Sequence, residues 1–245
     1  MNKPVTVVAV DGPSASGKST VSREAAKRLG FNYVDSGAMY RAVTWKALEM
    51  GIDVEDNIAV IGMMHTIKIS FEMKDRAARM LIDGVDPGDK VREPRVAEKV
   101  SIIAAIPEVR HILVQHQRSL TKFGSLVMEG RDIGSVVFPD TPYKFYLEAK
   151  PEVRTLRRQR DFEAMKIETS HDAVAQNLQK RDRIDSGRST SPLQIALGAT
   201  VIENSNLTVD ETVKVIVEHM KQQGFRRGCA TEIRNSKSET RNKSE

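Results

Sequence analysis

The sequence predicts an α/β protein with a parallel sheet that helices cover on both faces. Five short segments rich in apolar and β-branched residues have the composition of buried strands. Helical or mixed segments follow each of them, and this alternation requires crossover connections and therefore parallel strands. A sheet buried on both faces also explains why these strands are mostly apolar. The five segments are residues 5–10, 31–35, 125–129, 143–149 and 199–203.

Glycines mark the ends of the first two predicted helices. Residues 19–29 follow the first strand and end at Gly30, and residues 38–50 follow the second strand and stop at Gly51. Glycine readily takes the left-handed conformation that closes a helix at its C-terminal end. The chain therefore begins with two strand–helix units.

Two stretches interrupt the alternation of strands and helices. Apolar and polar residues alternate in 66–73 and again in 78–84, which predicts an antiparallel pair of strands. Two helices are predicted to follow, at 96–105 and 107–122. We therefore interpret 63–122 as an insertion into the parallel core, and the highly charged residues 152–184 as a second, mostly helical excursion.

Composition restricts the class of protein. The net charge is +5, and residues 226–245 contribute +3 of it, so most of the excess positive charge lies in the C-terminal tail. We expect this tail to be disordered from residue 224 onward. Since aromatic content is only 5%, we expect no nucleic-acid partner. No apolar run approaches the length of a membrane span, so we expect no membrane partner. The single cysteine, Cys229, excludes an intrachain disulfide and suits the cytoplasm.

The sharpest motif is GPSASGKS at residues 12–19, which matches the phosphate-loop pattern G-x-x-x-x-G-K-[ST]. It follows a predicted strand and opens a predicted helix, as phosphate binding by backbone N–H groups requires. Lys18 would reach the β- and γ-phosphates, and the hydroxyl of Ser19 would bind Mg²⁺. The alternative is a turn that binds no ligand.

The loop leaves the fate of the γ-phosphate open, because switch GTPases and motor ATPases share it. The sequence shows no Asn-Lys-x-Asp element at a plausible strand end. It also shows no apolar strand that ends in a clear acidic metal ligand of the Walker B type. Both observations disfavour a switch or a motor.

Two further motifs follow core strands, at the sheet edge where open α/β sheets bind ligands. DSGAMYR places Ser36 and Arg41 there, and EGRDIG places Arg131 and Asp132 there. Each has a simpler interpretation. Ser36 would only cap a helix and Arg41 would only be solvated, while Arg131 and Asp132 would form a surface ion pair.

The charged excursion carries two groups of arginines. Arg181, Asp185 and Arg188 have the spacing i, i+4, i+7, which sets two guanidiniums around a carboxylate if the helix continues that far. Residues 154–161, RTLRRQRD, have the composition of a flap that closes over phosphates. The alternative in both cases is a solvated, charged helix face.

Together, GPSASGKST, DSGAMYR, EGRDIGSVVFPD and KRDRIDSGR, in this order and spacing, resemble the bacterial cytidylate kinases, a family of nucleoside monophosphate kinases. The resemblance covers residues 5–223. It implies one domain, 1–223, with a P-loop kinase core, a monophosphate-binding insertion at about 63–122 that contains a small antiparallel sheet, and a helical lid at about 152–170. The basic tail at 224–245 lies beyond the resemblance.

The resemblance also assigns roles to residues. Lys18, Arg131 and Arg188 are implied to be catalytic, and Ser19 to bind the metal. The residues implied to bind ATP are Gly12, Pro13, Ser14, Ala15, Ser16, Gly17, Lys18, Ser19 and Thr20, with Arg157 and Arg158 from the lid. The residues implied to bind the acceptor are Ser36, Arg41, Ser101, Arg110, Arg131, Asp132, Arg181, Asp185 and Arg188.

The implied reaction is transfer of the γ-phosphoryl group from ATP, with Mg²⁺, to CMP or dCMP in pyrimidine nucleotide metabolism, by a cytoplasmic monomer. Asp132 would accept a hydrogen bond from the exocyclic N4 amine of cytosine, where uracil has a carbonyl oxygen. The alternatives are another P-loop kinase of small molecules, of the UMP or shikimate type, and a nucleotide-dependent nucleic-acid-binding protein. We expect residues 203–207 to contact the adenine.

Overall fold

The computed structural model describes residues 5–225 of the chain. Its strands join into one sheet, in the order third, fourth, second, fifth, first, sixth, seventh. The third and fourth strands are antiparallel to each other. Every other pair of neighbouring strands is parallel, so the predicted parallel sheet is confirmed. The strands are β1 (Val7–Asp11), β2 (Asn32–Asp35), β3 (Ile69–Lys74), β4 (Ala77–Ile82), β5 (Leu126–Gly130), β6 (Tyr143–Glu148) and β7 (Thr200–Glu203).

Helices cover the sheet and form both excursions from it. The predicted helices are confirmed, with shifts of a few residues at their ends. The helices are α1 (Lys18–Leu29), α2 (Ser36–Glu49), α3 (Asn57–Thr66), α4 (Pro94–Ile103), α5 (Pro107–Ser119), α6 (Pro151–Ala164), α7 (His171–Gly187) and α8 (Val209–Gln222). None of the helices within residues 5–225 is long and apolar enough to cross a membrane.

The two faces of the sheet pack against different helices. Val8 and Val10 lie in a buried cluster with Val21 of α1 and Ile216 of α8. Between them on β1, Ala9 faces the opposite side and belongs to a cluster that includes α5. The strands are therefore buried on both faces, which is the physical reason for their apolar composition.

The antiparallel pair β3–β4 extends the main sheet. The two strands pair along their whole length, from Ile69 with Ile82 to Lys74 with Ala77. β4 then joins β2 through the single pair of Tyr33 and Ala77, where the N–H of Tyr33 donates to the carbonyl of Arg76 at 2.7 Å. The predicted strand pair is confirmed, and it continues the parallel sheet at its edge.

The helix α2 begins two residues before its predicted start. Asp35 is its N-cap, because the carboxylate accepts a hydrogen bond from the N–H of Ala38 at 2.8 Å. The interpretation of Ser36 as the N-cap is therefore wrong. Aspartate and serine are equally suited to this position, so the sequence did not distinguish them.

Strand register brings three acidic residues to the carboxyl end of the sheet. Asp35 of β2 pairs with Glu129 of β5, which in turn pairs with Val10 of β1 beside Asp11. The phosphate loop leaves β1 at this same end. The partition into core, insertion and lid remains a prediction, and Cys229 and the tail beyond Phe225 lie outside the described residues.

Gly12 allows the phosphate loop to pass close to β6. Its φ is +147°, and a Cβ atom there would lie 2.2 Å from the carbonyl oxygen of Leu147. We predict that Gly12→Ala lowers the free energy of unfolding by about 2 kcal/mol or more and the melting temperature by about 5 °C or more. Chemical and thermal denaturation of the purified variant measure both quantities.

Gly62→Ala is the matched control for this prediction. Gly62 lies in α3, and a Cβ atom there meets no heavy atom within 4 Å. Alanine is the better helix former by about 1 kcal/mol, so the control is expected to be at least as stable as the parent. Equal melting temperatures for the two alanine variants would contradict the prediction.

Candidate active site

The candidate site is one large cleft at the carboxyl end of the parallel strands. Its volume is about 1600 Å³, which exceeds the range of about 300–1000 Å³ that is usual for one small ligand. The phosphate loop, α2, α4, the segment after β5, and both excursion helices α6 and α7 contribute to its walls. Its lining also reaches Gly30, Phe31 and Arg76 near the amino end of β2, so the cleft at the carboxyl ends of the strands is one part of this volume.

The phosphate loop leads directly into α1, whose first backbone N–H groups have no acceptor within the helix. Ala15 and Gly17 have φ values of +58° and +91°, which turn successive peptide units toward one centre. Lys18 is buried beside this centre, and its Nζ donates to the carbonyl of Pro13 at 2.6 Å. Burial, reinforced by Arg131, lowers the pKa of Lys18 to about 7. A bound phosphate would restore the charge on this lysine.

A buried acid, Glu129, lies opposite the loop. Ser19 Oγ donates to Glu129 Oε2 at 2.9 Å, and the Tyr33 hydroxyl donates to Oε1. Burial, followed by the charge of Asp35, raises the pKa of Glu129 to about 7. A hydroxyl and a carboxylate oxygen are ligands that Mg²⁺ prefers, and a cation would offset the cost of burying this charge. The pair could therefore hold a magnesium ion, which would supply positive charge beside the phosphate loop.

The sequence shows no clear acid of the Walker B type, yet the structure places the acid Glu129 in β5 beside Ser19. The segment SLVMEG is an apolar run with one acid near its end. All five residues of β5, including Glu129, are buried. The feature in the sequence that could have identified Glu129 is an acidic residue near the end of an otherwise apolar strand. The alternation of strands and helices does not reveal such a residue.

Ser36 and Arg41 lie together where α2 begins. Arg41 Nη2 donates to Asp35 Oδ2 at 2.8 Å, and Ser36 Oγ donates to the carbonyl of Glu129 at 2.6 Å. Burial opposes ionisation of Asp35, but Arg41 outweighs it and holds the pKa of this carboxyl below its usual value. The interpretation of Arg41 as merely solvated is therefore wrong.

Arg110 and Asp132 form a buried ion pair in the wall near α4. Their side chains are 2% and 5% exposed, and Arg110 Nη2 donates to Asp132 Oδ2. The Arg110 guanidinium also donates to the carbonyl of Ala104 at 3.1 Å and lies 5.3 Å from the ring centre of Tyr40. Ser101, on α4, is buried and lines the same cleft. Since Asp132 pairs with Arg110, the interpretation of Arg131 and Asp132 as a surface ion pair is wrong.

Asp11 fixes the segment that carries Asp132. Its two carboxylate oxygens accept the N–H groups of Ile133 and Gly134, each at 2.8 Å. Burial raises the pKa of Asp11 to about 6 in spite of these hydrogen bonds. The end of β1 therefore positions the loop after β5, a role that the sequence analysis did not assign to Asp11.

Asp185 joins the second group of cations. Arg131 Nε donates to Asp185 Oδ2 at 2.8 Å, and Arg188 Nη1 lies 3.7 Å from Oδ1. The helix α7 ends at Gly187, yet Arg188 at its C-cap still faces Asp185. Asp185 is buried, so the interpretation as a solvated ladder is wrong. Burial opposes ionisation of Asp185, but Arg131 overcomes it and lowers the pKa of this carboxyl.

Positive charge is in excess in this part of the cleft. Burial, with Arg131 close by, lowers the pKa of Arg181 to about 9, and burial lowers the pKa of Arg188 and Arg158 as well. Within residues 5–225, Arg181 Nε and Arg188 Nη2 are buried and reach no hydrogen-bond acceptor. Buried guanidinium N–H groups that lack acceptors are expected in the lining of a site for phosphates.

The two arginines assigned together to the lid differ in their contacts. Arg157 donates to the carbonyl of Ser16 at 3.1 Å and to the carbonyl of Asn204 at 2.9 Å. Arg158 faces the cleft, with Asp161 3.7 Å away and the ring of Phe162 5.5 Å away. Both arginines line the cleft, and Arg157 is the one that contacts the phosphate loop.

The buried charge of Glu129 leads to a prediction about stability and pH. Its folded pKa lies above the ordinary value of a glutamate, so the folded protein binds the extra proton at intermediate pH and stability falls as pH rises from about 5 to about 7. Glu129→Gln cannot ionise, and its amide can bond both hydroxyls. We predict that this variant gains stability over the parent with rising pH, by up to about 1.4 kcal/mol per pH unit.

Chemical denaturation of both proteins at several pH values, without nucleotide or divalent metal, measures this difference. Glu163→Gln is the control, since Glu163 is exposed on α6. Parallel stability curves for Glu129→Gln and the parent would contradict the prediction.

Comparison with known proteins gives one consistent family. The family model described as cytidylate kinase matches residues 8–222. A protein named cytidylate kinase from Caldanaerobacter subterraneus subsp. tengcongensis is 42% identical over 88% of this chain and 94% of its own length. Another with that name, from Parabacteroides distasonis, is 42% identical over 86% of this chain and 95% of its own. With the family motifs gathered around one cleft, this chain belongs to the cytidylate kinase family.

Proposed function

We propose that this protein transfers the γ-phosphoryl group of ATP to the 5′-phosphate of CMP or dCMP, forming ADP and CDP or dCDP. The observation that carries the proposal is the arrangement of one cleft. A phosphate loop with a buried lysine, a group of partly buried arginines and a buried Arg110–Asp132 pair all line this cleft. Membership in the family, whose named relatives are cytidylate kinases, supports the same reaction.

The donor side consists of residues 12–20 with Lys18 at their centre. The backbone N–H groups of the loop and the start of α1 would hold the β- and γ-phosphates, and Lys18 would counter their charge. Ser19 and Glu129 would hold Mg²⁺, which supplies positive charge between the phosphates when bound. Arg157 and Arg158 would border the donor, and residues 203–207 would contact its adenine.

The acceptor phosphate would lie among Arg41, Arg131 and Arg188. Asp35 orients the first of these guanidiniums and Asp185 the other two. Because the attacking oxygen belongs to an ionised phosphate, the reaction needs no general base. Catalysis then comes from holding donor and acceptor in line and from countering the negative charge of the transferring group.

The base and sugar would occupy the rest of the cleft. Asp132 would accept from the N4 amine of cytosine, while Ser36, Ser101 and Arg110 complete the contacts to the ring. The ion pair with Arg110 engages Asp132 Oδ2, which fixes the orientation of the carboxylate. Arg181 and Asp185 would contact the ribose or deoxyribose.

We also propose that the enzyme acts as a monomer in the cytoplasm. One chain supplies every residue of the donor and acceptor sides described above.

The acceptor panel tests the function directly. We predict CMP-dependent formation of ADP from ATP and Mg²⁺, with dCMP also accepted and with UMP, AMP, GMP and shikimate much poorer acceptors. A coupled assay of ADP release measures each rate against a reaction without acceptor. Turnover with CMP no greater than this blank would refute the proposal, and turnover with UMP or shikimate alone would assign another kinase.

Base selection by Asp132 leads to a separate prediction. In Asp132→Asn the amide oxygen would face Arg110, so the NH₂ group would face the base and favour the O4 carbonyl of uracil over the N4 amine of cytosine. We predict that the ratio of kcat/KM for CMP to that for UMP falls by at least about tenfold. Asp140→Asn, an exposed change in the same segment, is the control. An unchanged ratio in Asp132→Asn would exclude base reading by this residue.

A further inference from the structure

Ser14, in the phosphate loop, is held through all three of its polar groups. Its N–H donates to Asp182 Oδ1 at 3.2 Å, its carbonyl accepts from Arg154 Nη1 at 3.2 Å, and its hydroxyl accepts from Arg131 Nη2 at 2.8 Å. The residue is 2% exposed. These three partners come from α7, from α6 and from the segment after β5, so separate parts of the chain converge on one loop residue.

Asp182 closes this arrangement into a ring. Its second oxygen pairs with Arg154, which itself contacts the carbonyl of Ser14. One turn further along α7, Asp185 binds Arg131, which contacts the hydroxyl of Ser14. The helix α7 is therefore joined to Ser14 twice, directly by Asp182 and indirectly by Asp185.

We propose that Asp182 is a positioning residue that fixes α7 to the phosphate loop, so that Arg181, Asp185 and Arg188 stand at a set distance from the donor phosphates. This inference rests on the proposed function. Asp182 contacts no part of either substrate in this proposal. It acts through Ser14 and through the helix that carries the acceptor-binding residues.

Arg154 serves as the counterion of Asp182. The Asp182 carboxylate accepts the N–H of Ser14 at 3.2 Å, so it lies at the loop that would bind the donor phosphates. Without Arg154, an uncompensated negative charge would repel those phosphates. Removing Arg154 alone should therefore lower kcat/KM for ATP more than removing both Arg154 and the charge of Asp182.

Release of α7 from the loop would also admit water to the phosphates. Water would then attack the γ-phosphorus as the bond to the β–γ bridging oxygen breaks, giving ADP, inorganic phosphate and a proton. This hydrolysis forms ADP without forming CDP. The ratio of ADP to CDP does not depend on how much of the enzyme is folded, so a merely structural role for Asp182 would leave it unchanged.

The experiment compares Asp182→Ala and Asp182→Asn with the parent at saturating CMP, ATP and Mg²⁺, with both products separated and quantified. In the parent we expect one ADP for each CDP. In Asp182→Ala we expect CDP formation to fall by about tenfold, and the ratio of ADP to CDP to rise to about two or more. Asp182→Asn keeps an acceptor for the Ser14 N–H and should raise the ratio less. Asp172→Ala, an exposed change on the same helix, should behave as the parent.

A second comparison tests the counterion. Arg154→Ala is expected to lower kcat/KM for ATP by about tenfold or more, and adding Asp182→Asn to recover at least about threefold of that loss. A ratio of one in Asp182→Ala, or a double variant no better than Arg154→Ala, would overturn the inference. A parent protein that forms no CDP would instead refute the proposed function.

Discussion

The positive charge buried in one cleft is the constraint on which the rest of the structure depends. Burial lowers the pKa of Lys18, Arg181 and Arg188, and Arg131 lies close enough to lower that of Lys18 and Arg181 further, so these cations need negative partners. Asp185 offsets part of this charge, and Asp35 does the same for Arg41. The remaining excess fits the phosphates of two nucleotides, which bring the negative charge that the protein itself does not supply.

The parallel sheet determines where these charges meet. The register of β1, β2 and β5 places Asp11, Asp35 and Glu129 together at the carboxyl end of the sheet. Each of these acids has a different partner. Asp35 orients Arg41, Glu129 accepts from Ser19, and Asp11 holds the backbone beyond Asp132. The carboxyl ends of three neighbouring strands thus position side chains and backbone around one cleft, to which the proposed function assigns a donor side, an acceptor-phosphate side and a base side.

Much of this was predictable from the sequence, because the phosphate loop and the strand–helix alternation are local patterns. The loop at Gly12 to Ser19, the sheet and the family followed from such patterns. The pairings between distant residues did not. Glu129 lies 110 positions from Ser19, and Asp182 lies 168 positions from Ser14. The i, i+4, i+7 spacing in α7 predicted that Asp185 contacts arginines. It did not predict that Asp182 contacts the phosphate loop or that Arg131 is the main partner of Asp185.

The central claim is that donor and acceptor bind together in one continuous cleft. A compound that joins adenosine and cytidine through a chain of five phosphates would fill both sides at once. Calorimetry should show one molecule bound per chain, at least about 100-fold more tightly than ATP or CMP alone, since the second contact becomes intramolecular. Either nucleotide in excess should compete with it. Binding no tighter than that of ATP, or CMP binding unaffected by the bound compound, would contradict the account.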